Sequence, residues 1–370
     1  MKILSVFGTR PEAVKMAPIV RLLQEDAKIE SRVCVTAQHR QMLDQVLRLF
    51  QIQPQYDLNL MRENQSLAQL SAEIFTRLDP VITDFEPDWI LAQGDTTTVA
   101  ITALLAYYRR VKFGHVEAGL RTHDKWQPYP EELNRRVAGV IADLHFAPTE
   151  WAKENLLREG IDESHIAVTG NTVIDALQYV AAQNEPPEIK ELITRLKTGN
   201  KKIILTTAHR RENFGLPLEE ICRALLTLAQ REDVEIIYPV HLNPHVQEPV
   251  YRLLSHVKHI TLLPPLDYLP LIHLMKQATL ILTDSGGIQE EAPAFGIPTL
   301  VLRDVTERPE GVAAGTLKLV GADSLRITTE AARLLDDSAA YKEMARAVNP
   351  YGDGRAAARI LDRLKKLDGL

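Results

Sequence analysis

Short apolar runs alternate along this chain with segments of helical period. Residues 2–7, 32–36, 89–92 and 111–116 read as buried strands. Residues 13–25, 41–50, 66–85 and 98–110 read as the helices between them. Such alternation predicts a parallel sheet covered on both faces. A second series follows, with strands at 202–206, 235–238, 260–263, 279–282 and 298–302 and helices at 216–231, 244–256, 268–277 and 288–295. The polar, proline-rich stretch Gln183-Asn184-Glu185-Pro186-Pro187 breaks the pattern as a linker does. The sequence therefore predicts an α/β protein with two doubly wound domains in tandem. Residues 353–367 form a basic amphipathic helix after the turn signal Asn349-Pro350-Tyr351-Gly352-Asp353-Gly354. That helix either closes the second domain or crosses back to the first.

Composition narrows the class. A length of 370 residues suits two or three domains, and 45% hydrophobic with 25% charged residues is ordinary globular usage. The formal charge is −6, so a general nucleic-acid or anionic-membrane binder is not favoured. Cys34 and Cys222 are too few for a disulfide framework or a cysteine metal site. No apolar stretch approaches the ~18 residues of a membrane span. The first strand lacks the longer apolar region of a signal peptide. A soluble cytoplasmic protein with an interdomain cleft is expected.

In open α/β sheets ligands bind beyond the carboxyl ends of strands, so the residues just after each strand carry the chemistry. Gly8-Thr9-Arg10-Pro11-Glu12 follows the first strand. It is not GxGxxG, which disfavours a nicotinamide or flavin dinucleotide. Arg10 and Lys15 are placed to meet an anion together with helix amides. Gln93-Gly94-Asp95-Thr96 follows another strand, and Asp95 is equally suited to cap the next helix. Glu117 lies between apolar residues and two glycines, where a solvated carboxylate has little structural purpose. Glu131 opens a helix, where the dipole alone would favour it. Together these three carboxylates could act as acid and base with separated pKa values.

The second series ends its strands in Thr207-Ala208-His209-Arg210-Arg211-Glu212-Asn213 and Thr283-Asp284-Ser285-Gly286-Gly287. Ser285, Gly286 and Gly287 can offer backbone amides to phosphate. Glu291 could accept from the two hydroxyls of a ribose, and Arg308 is a further candidate anion contact. No metal-ligand spacing, GxSxG elbow or Walker sequence is present. One domain thus offers carboxylates and the other a phosphate cradle, a pairing that suits a nucleotide-sugar enzyme.

These segments, together with His115-Val116-Glu117-Ala118-Gly119-Leu120-Arg121 and Pro130-Glu131-Glu132, occur in one order along the chain. In that order and spacing the sequence closely resembles the non-hydrolysing UDP-N-acetylglucosamine 2-epimerases of bacteria. The resemblance implies a GT-B fold, with residues 1–172 plus 353–370 as the first domain and 173–352 as the second. The last helix would then cross back to the first domain. It implies interconversion of UDP-GlcNAc and UDP-ManNAc by elimination of UDP to 2-acetamidoglucal and re-addition, supplying ManNAc units for cell-surface polysaccharide. It also implies a homodimer that uses no metal and no cofactor. By resemblance, Asp95, Glu117 and Glu131 are the carboxylate set and His209 steadies charge on the leaving phosphate. Arg10, Lys15, Ser285, Gly286, Gly287, Glu291 and Arg308 are UDP contacts. Gln38, Gln41, Arg210 and His241 match a second, activating UDP-GlcNAc site. The rival reading is a hydrolysing 2-epimerase that releases ManNAc and UDP.

Overall fold

The computed structural model describes residues 1–37, 40–60, 62, 65–197, 199 and 201–369, with only the backbone given at 41 and 197. The chain divides into two compact units, Met1–Gln178 with Tyr351–Leu370, and Tyr179–Pro350. The division falls inside the helix Thr172–Ala181, a little later than the boundary expected from the sequence.

The first unit is built on seven parallel strands: β1 (Lys2–Phe7), β2 (Glu30–Val35), β3 (Tyr56–Asp57), β4 (Trp89–Gln93), β5 (Lys112–Val116), β6 (Leu144–Ala147) and β7 (Ile166–Val168). Their order is β3-β2-β1-β4-β5-β6-β7. β1 and β4 are buried almost throughout because helices cover both faces of a parallel sheet. Helices Leu67–Phe85, Thr97–Arg109 and Glu131–Ile141 pack side by side in one layer. Helix Arg10–Glu25 packs with Arg40–Leu49 and Ala356–Leu367 in the other. Right-handed crossovers running in opposite directions from β1 and β4 put the two layers on opposite faces. Ile74, Leu78, Val99 and Ala103 close over Leu4, Val6, Ile90 and Phe113 to form the core.

The last helix belongs to this unit, and its attachment is specific. Asp175 accepts hydrogen bonds from the amides of Ala356 (3.1 Å) and Ala357 (2.9 Å), capping the helix. Lys365 pairs with Asp26, and Asp368 accepts from Trp89 Nε1 at 3.3 Å. The helix starts at Ala356 rather than at 353, because Gly354, with φ +80°, breaks the helical backbone just before it.

The second unit has six parallel strands: β8 (Lys202–Thr207), β9 (Val234–Pro239), β10 (Ile260–Leu263), β11 (Leu280–Thr283), β12 (Thr299–Val301) and β13 (Leu317–Leu319). Their order is β10-β9-β8-β11-β12-β13. Each sheet therefore reverses its winding once, between β1 and β4 and between β8 and β11. Among the described residues no helix is long and apolar enough to cross a membrane.

Candidate active site

In each unit the candidate residues gather after the strands at the reversal point, where adjacent loops diverge and leave room for a ligand. After β1 the chain turns at once into a helix. Thr9 caps it, accepting from the Glu12 amide, while Glu12 Oε2 accepts from the amides of Gly8 (3.0 Å) and Thr9 (2.7 Å). Gly8 must lack a side chain, since a Cβ there would lie 1.9 Å from Thr36 Oγ1. Arg10 is the first residue of this helix, at the helix start where the sequence places it. Glu12, to which the sequence alone assigns no task, is only 2% exposed and also accepts from Thr96 Oγ1 at 2.6 Å. Burial raises its pKa, and these hydrogen bonds oppose the rise.

Lys15 points at a carboxylate. Its Nζ lies 2.6 Å from Glu117 Oε2, with both side chains nearly buried. Gln93 Nε2 donates to the same oxygen at 2.9 Å. Glu117 sits just beyond β5 with φ +61°, a left-handed conformation that costs a non-glycine residue of order 1–3 kcal/mol. Lys15 thus pairs with Glu117 within the first unit.

Asp95 is not the cap of the following helix. That task falls to Thr96, whose hydroxyl accepts from the Val99 amide. Asp95 instead pairs with Arg135, and its carbonyl accepts from Asn134 Nδ2 at 2.9 Å. Both partners lie on the helix opened by Glu131. The structural duties at that helix start belong to Glu132, which accepts from the amides of Thr122 (3.0 Å) and His123 (3.1 Å) and from Arg136. Glu131 keeps one carboxylate oxygen, Oε2, buried and with no hydrogen-bond partner among the described residues. Such an atom is costly to maintain, so Glu131, unlike Glu132, has a carboxylate oxygen that no described contact explains.

In the second unit Asp284, to which the sequence alone assigns no task, organises the end of β8. Its Oδ2 accepts from the amides of His209 and Arg210 (both 2.8 Å) and from Asn213 Nδ2 (3.0 Å). Its Oδ1 lies 3.4 Å from His209 Nδ1. Burial lowers the His209 pKa, and Asp284 works against that shift. His241 stacks on His209 with ring centroids 5.4 Å apart.

The turn after β11 is less open than expected at its first residue, because the Ser285 amide donates to Thr283 Oγ1 at 2.9 Å. The next residue is different. A Cβ on Gly286 would meet Arg308 Cζ at 3.3 Å and Arg210 Nη2 at 3.5 Å, so two guanidiniums converge on that backbone. Gly287 follows in the same short helix. Buried Glu290 holds Arg308 there through Nε (2.9 Å) and Nη2 (2.8 Å). Tyr268 donates to Glu291 Oε1 at 2.8 Å. Arg210 and His241 thus border the same strand ends as the diphosphate candidates. Gln38 lies outside the described residues, as does the side chain of Gln41. Among the described residues no three His, Cys, Asp or Glu side chains are grouped to hold a metal ion.

Arg135, Glu12, Asp284, Glu290 and Tyr268 were not singled out from sequence. The first four stand within four residues of a candidate, which is the signal that could have found them, whereas Tyr268 reaches Glu291 from 23 residues away and only the fold brings the two together.

Two α/β units of this topology, one carrying carboxylates after its strands and the other converging arginines, define a protein of GT-B type. A family model described as UDP-N-acetylglucosamine 2-epimerase matches residues 21–365. A UDP-N-acetylglucosamine 2-epimerase of Salmonella typhimurium is 55% identical over 371 residues, covering 99% of this chain and 98% of that one. The crystal structure of the UDP-GlcNAc 2-epimerase of Neisseria meningitidis bound to UDP-GlcNAc is 49% identical, with a TM-score of 0.90 and 99% and 100% coverage. The Methanocaldococcus jannaschii UDP-GlcNAc 2-epimerase in complex with UDP-GlcNAc and UDP is 33% identical, with a TM-score of 0.80 and the same coverage. The chain belongs to the UDP-N-acetylglucosamine 2-epimerase family.

Proposed function

We propose that this enzyme interconverts UDP-GlcNAc and UDP-ManNAc without hydrolysis. The carrying observation is the buried, unpartnered Oε2 of Glu131, in one unit with Glu117 and Asp95, each held by its own cation. The C2 proton of the sugar has no adjacent carbonyl to acidify it. Elimination avoids that difficulty. A carboxylate takes the C2 proton, the C–H pair becomes the C1=C2 bond of 2-acetamidoglucal, and the C1–O bond breaks with its electrons leaving on UDP. Re-addition of UDP at C1, with protonation of C2 from the other face, completes the inversion. Two faces require two proton-handling groups, which is why a carboxylate set serves where one would not.

The second unit holds the leaving group. Arg210 and Arg308 over Gly286 and Gly287 suit a diphosphate, and Glu291, oriented by Tyr268, suits ribose hydroxyls. His209 steadies the charge that grows on the departing phosphate. We extend the reading to Arg10 at the start of its helix, to a cytoplasmic homodimer, and to activation by a second UDP-GlcNAc near Arg210 and His241. These three extensions rest on family resemblance.

The test is the reaction of UDP-GlcNAc in D₂O followed by NMR. Deuterium at C2 of both UDP-sugars is expected. Free ManNAc as the main product would replace this reading with the hydrolysing one.

A further inference from the structure

We propose that His115 is a positioning residue for Asp95, acting through the carbonyl of Gly94. The proposal rests on the reading of Asp95 as an acid–base group. His115 lies on β5, a central strand, and is 1% exposed. Its Nε2 is 2.7 Å from the Gly94 carbonyl oxygen, which can only accept, so the ring donates there. Its Nδ1 is buried with no hydrogen-bond partner among the described residues. An apolar side chain would fill this position without that desolvation cost. The fold therefore tolerates an idle ring nitrogen in order to keep the other one on Gly94.

The reason lies in the loop itself. Gly94 has φ +85°, a conformation glycine adopts freely, and it has no side chain with which to anchor its own turn. Its amide bonds to the Val116 carbonyl at 3.0 Å and its carbonyl is held by His115. On the other side of Asp95, the Thr96 hydroxyl is held by Glu12. Asp95 itself is held through its carbonyl by Asn134. The loop is thus clamped before and after the carboxylate. Thr96 would still cap its helix without outside help, whereas the described contacts give the Gly94 carbonyl His115 alone. Burial, with Arg121 and Arg135 adding to it, lowers the His115 pKa to about 4, so the ring is neutral with its proton on Nε2 at ordinary pH.

The test uses the full chain with single variants His115→Leu, His115→Gln and Asp95→Asn and the double variant of His115→Leu with Asp95→Asn. Losing the donor should lower kcat by about 10- to 100-fold, as a misplaced catalytic group does. KM for UDP-GlcNAc should move by less than about threefold, because ground-state binding is untouched. His115→Gln, whose amide reaches the same carbonyl, should restore most of kcat. In the Asp95→Asn background His115→Leu should cost little more, because the group it positions is already gone. Full kcat in His115→Leu, or a loss that multiplies undiminished into the double variant, would overturn the proposal. If His115→Leu does not fold, His115→Asn takes its place as a polar side chain too short to reach Gly94, and equal activity of the Asn and Gln variants is then the overturning result. Normal turnover by Asp95→Asn would instead remove the reading of Asp95 on which the proposal stands.

Discussion

Acidification should destabilise the first unit well above the pH at which carboxylates titrate. His115 and His145 face each other across β5 and β6, each 1% exposed. Burial lowers the first from 6.5 to about 4 and the second from 6.5 to about 3. The folded pKa lies below the unfolded one, so between them the unfolded chain binds more protons and stability rises with pH. The contribution is complete above about 6.5 and is lost as pH falls toward 4 and 3. At pH 5 each ring withholds nearly one proton, which amounts to about 2 kcal/mol apiece, or about 4 kcal/mol together. That is a large part of the roughly 5–15 kcal/mol that holds a domain folded. Glu12 and Asp175, buried carboxyls whose pKa values are raised, act in the opposite sense and offset part of the loss. The assay is urea unfolding at pH 7 and pH 5 followed by tryptophan fluorescence. Trp89, Trp126 and Trp151 all lie in the first unit, so the signal reports that unit. The ring nitrogens of His145 have no hydrogen-bond partner among the described residues, and His145→Phe should remove its share, cutting the loss between pH 7 and pH 5 by about 2 kcal/mol. An unchanged pH slope in that variant would show that His145 is not a buried neutral ring, and the reasoning would fail.

Three other perturbations separate the roles of the remaining residues. Asp284→Ala leaves the amides of His209 and Arg210 and the side chain of Asn213 without their shared acceptor, and the second unit should lose about 3 kcal/mol in urea, measured by circular dichroism. An unmoved midpoint would contradict the buried network. Lys15→Met should lower kcat by about tenfold or more, in keeping with loss of a buried charge partner, while calorimetry finds the Kd for UDP nearly unchanged. A weakened Kd with normal kcat would return Lys15 to the diphosphate. Gly286→Ala introduces a methyl 3.3 Å from Arg308 Cζ and should weaken UDP about tenfold by displacing the two guanidiniums, with an unaltered circular dichroism spectrum.

The sequence shows where chemistry sits more readily than who partners whom, and the reason is topological. A parallel strand buried on both faces writes a continuous apolar run, so β1, β4 and β8 can be read directly and the residues after them become candidates. β3, β7 and β13 span only two or three residues each, too few for any period to register. Within a loop, local chemistry is degenerate. Asp95-Thr96-Thr97-Thr98 offers four consecutive cap-forming residues, and only the backbone geometry gives the cap to Thr96 and frees Asp95 for Arg135. Glu131 and Glu132 are indistinguishable as helix-start acids, yet a turn of about 100° per residue sends Glu132 to the backbone of Thr122 and His123 and leaves Glu131 an idle oxygen.

Pairings between loops are harder still, because they depend on strand order. Lys15 meets Glu117 only because the sheet sets β1 beside β4 and β4 beside β5, and nothing in either segment announces that. The amphipathic stripe of the last helix likewise says that it packs but not on what, and Asp175 and Asp26 supply the answer from segments far away in the chain. The same logic explains why His115 is invisible as a functional residue. A histidine in an apolar run looks like a satisfied core residue until the neighbouring strand is known to end in a glycine whose carbonyl needs a donor.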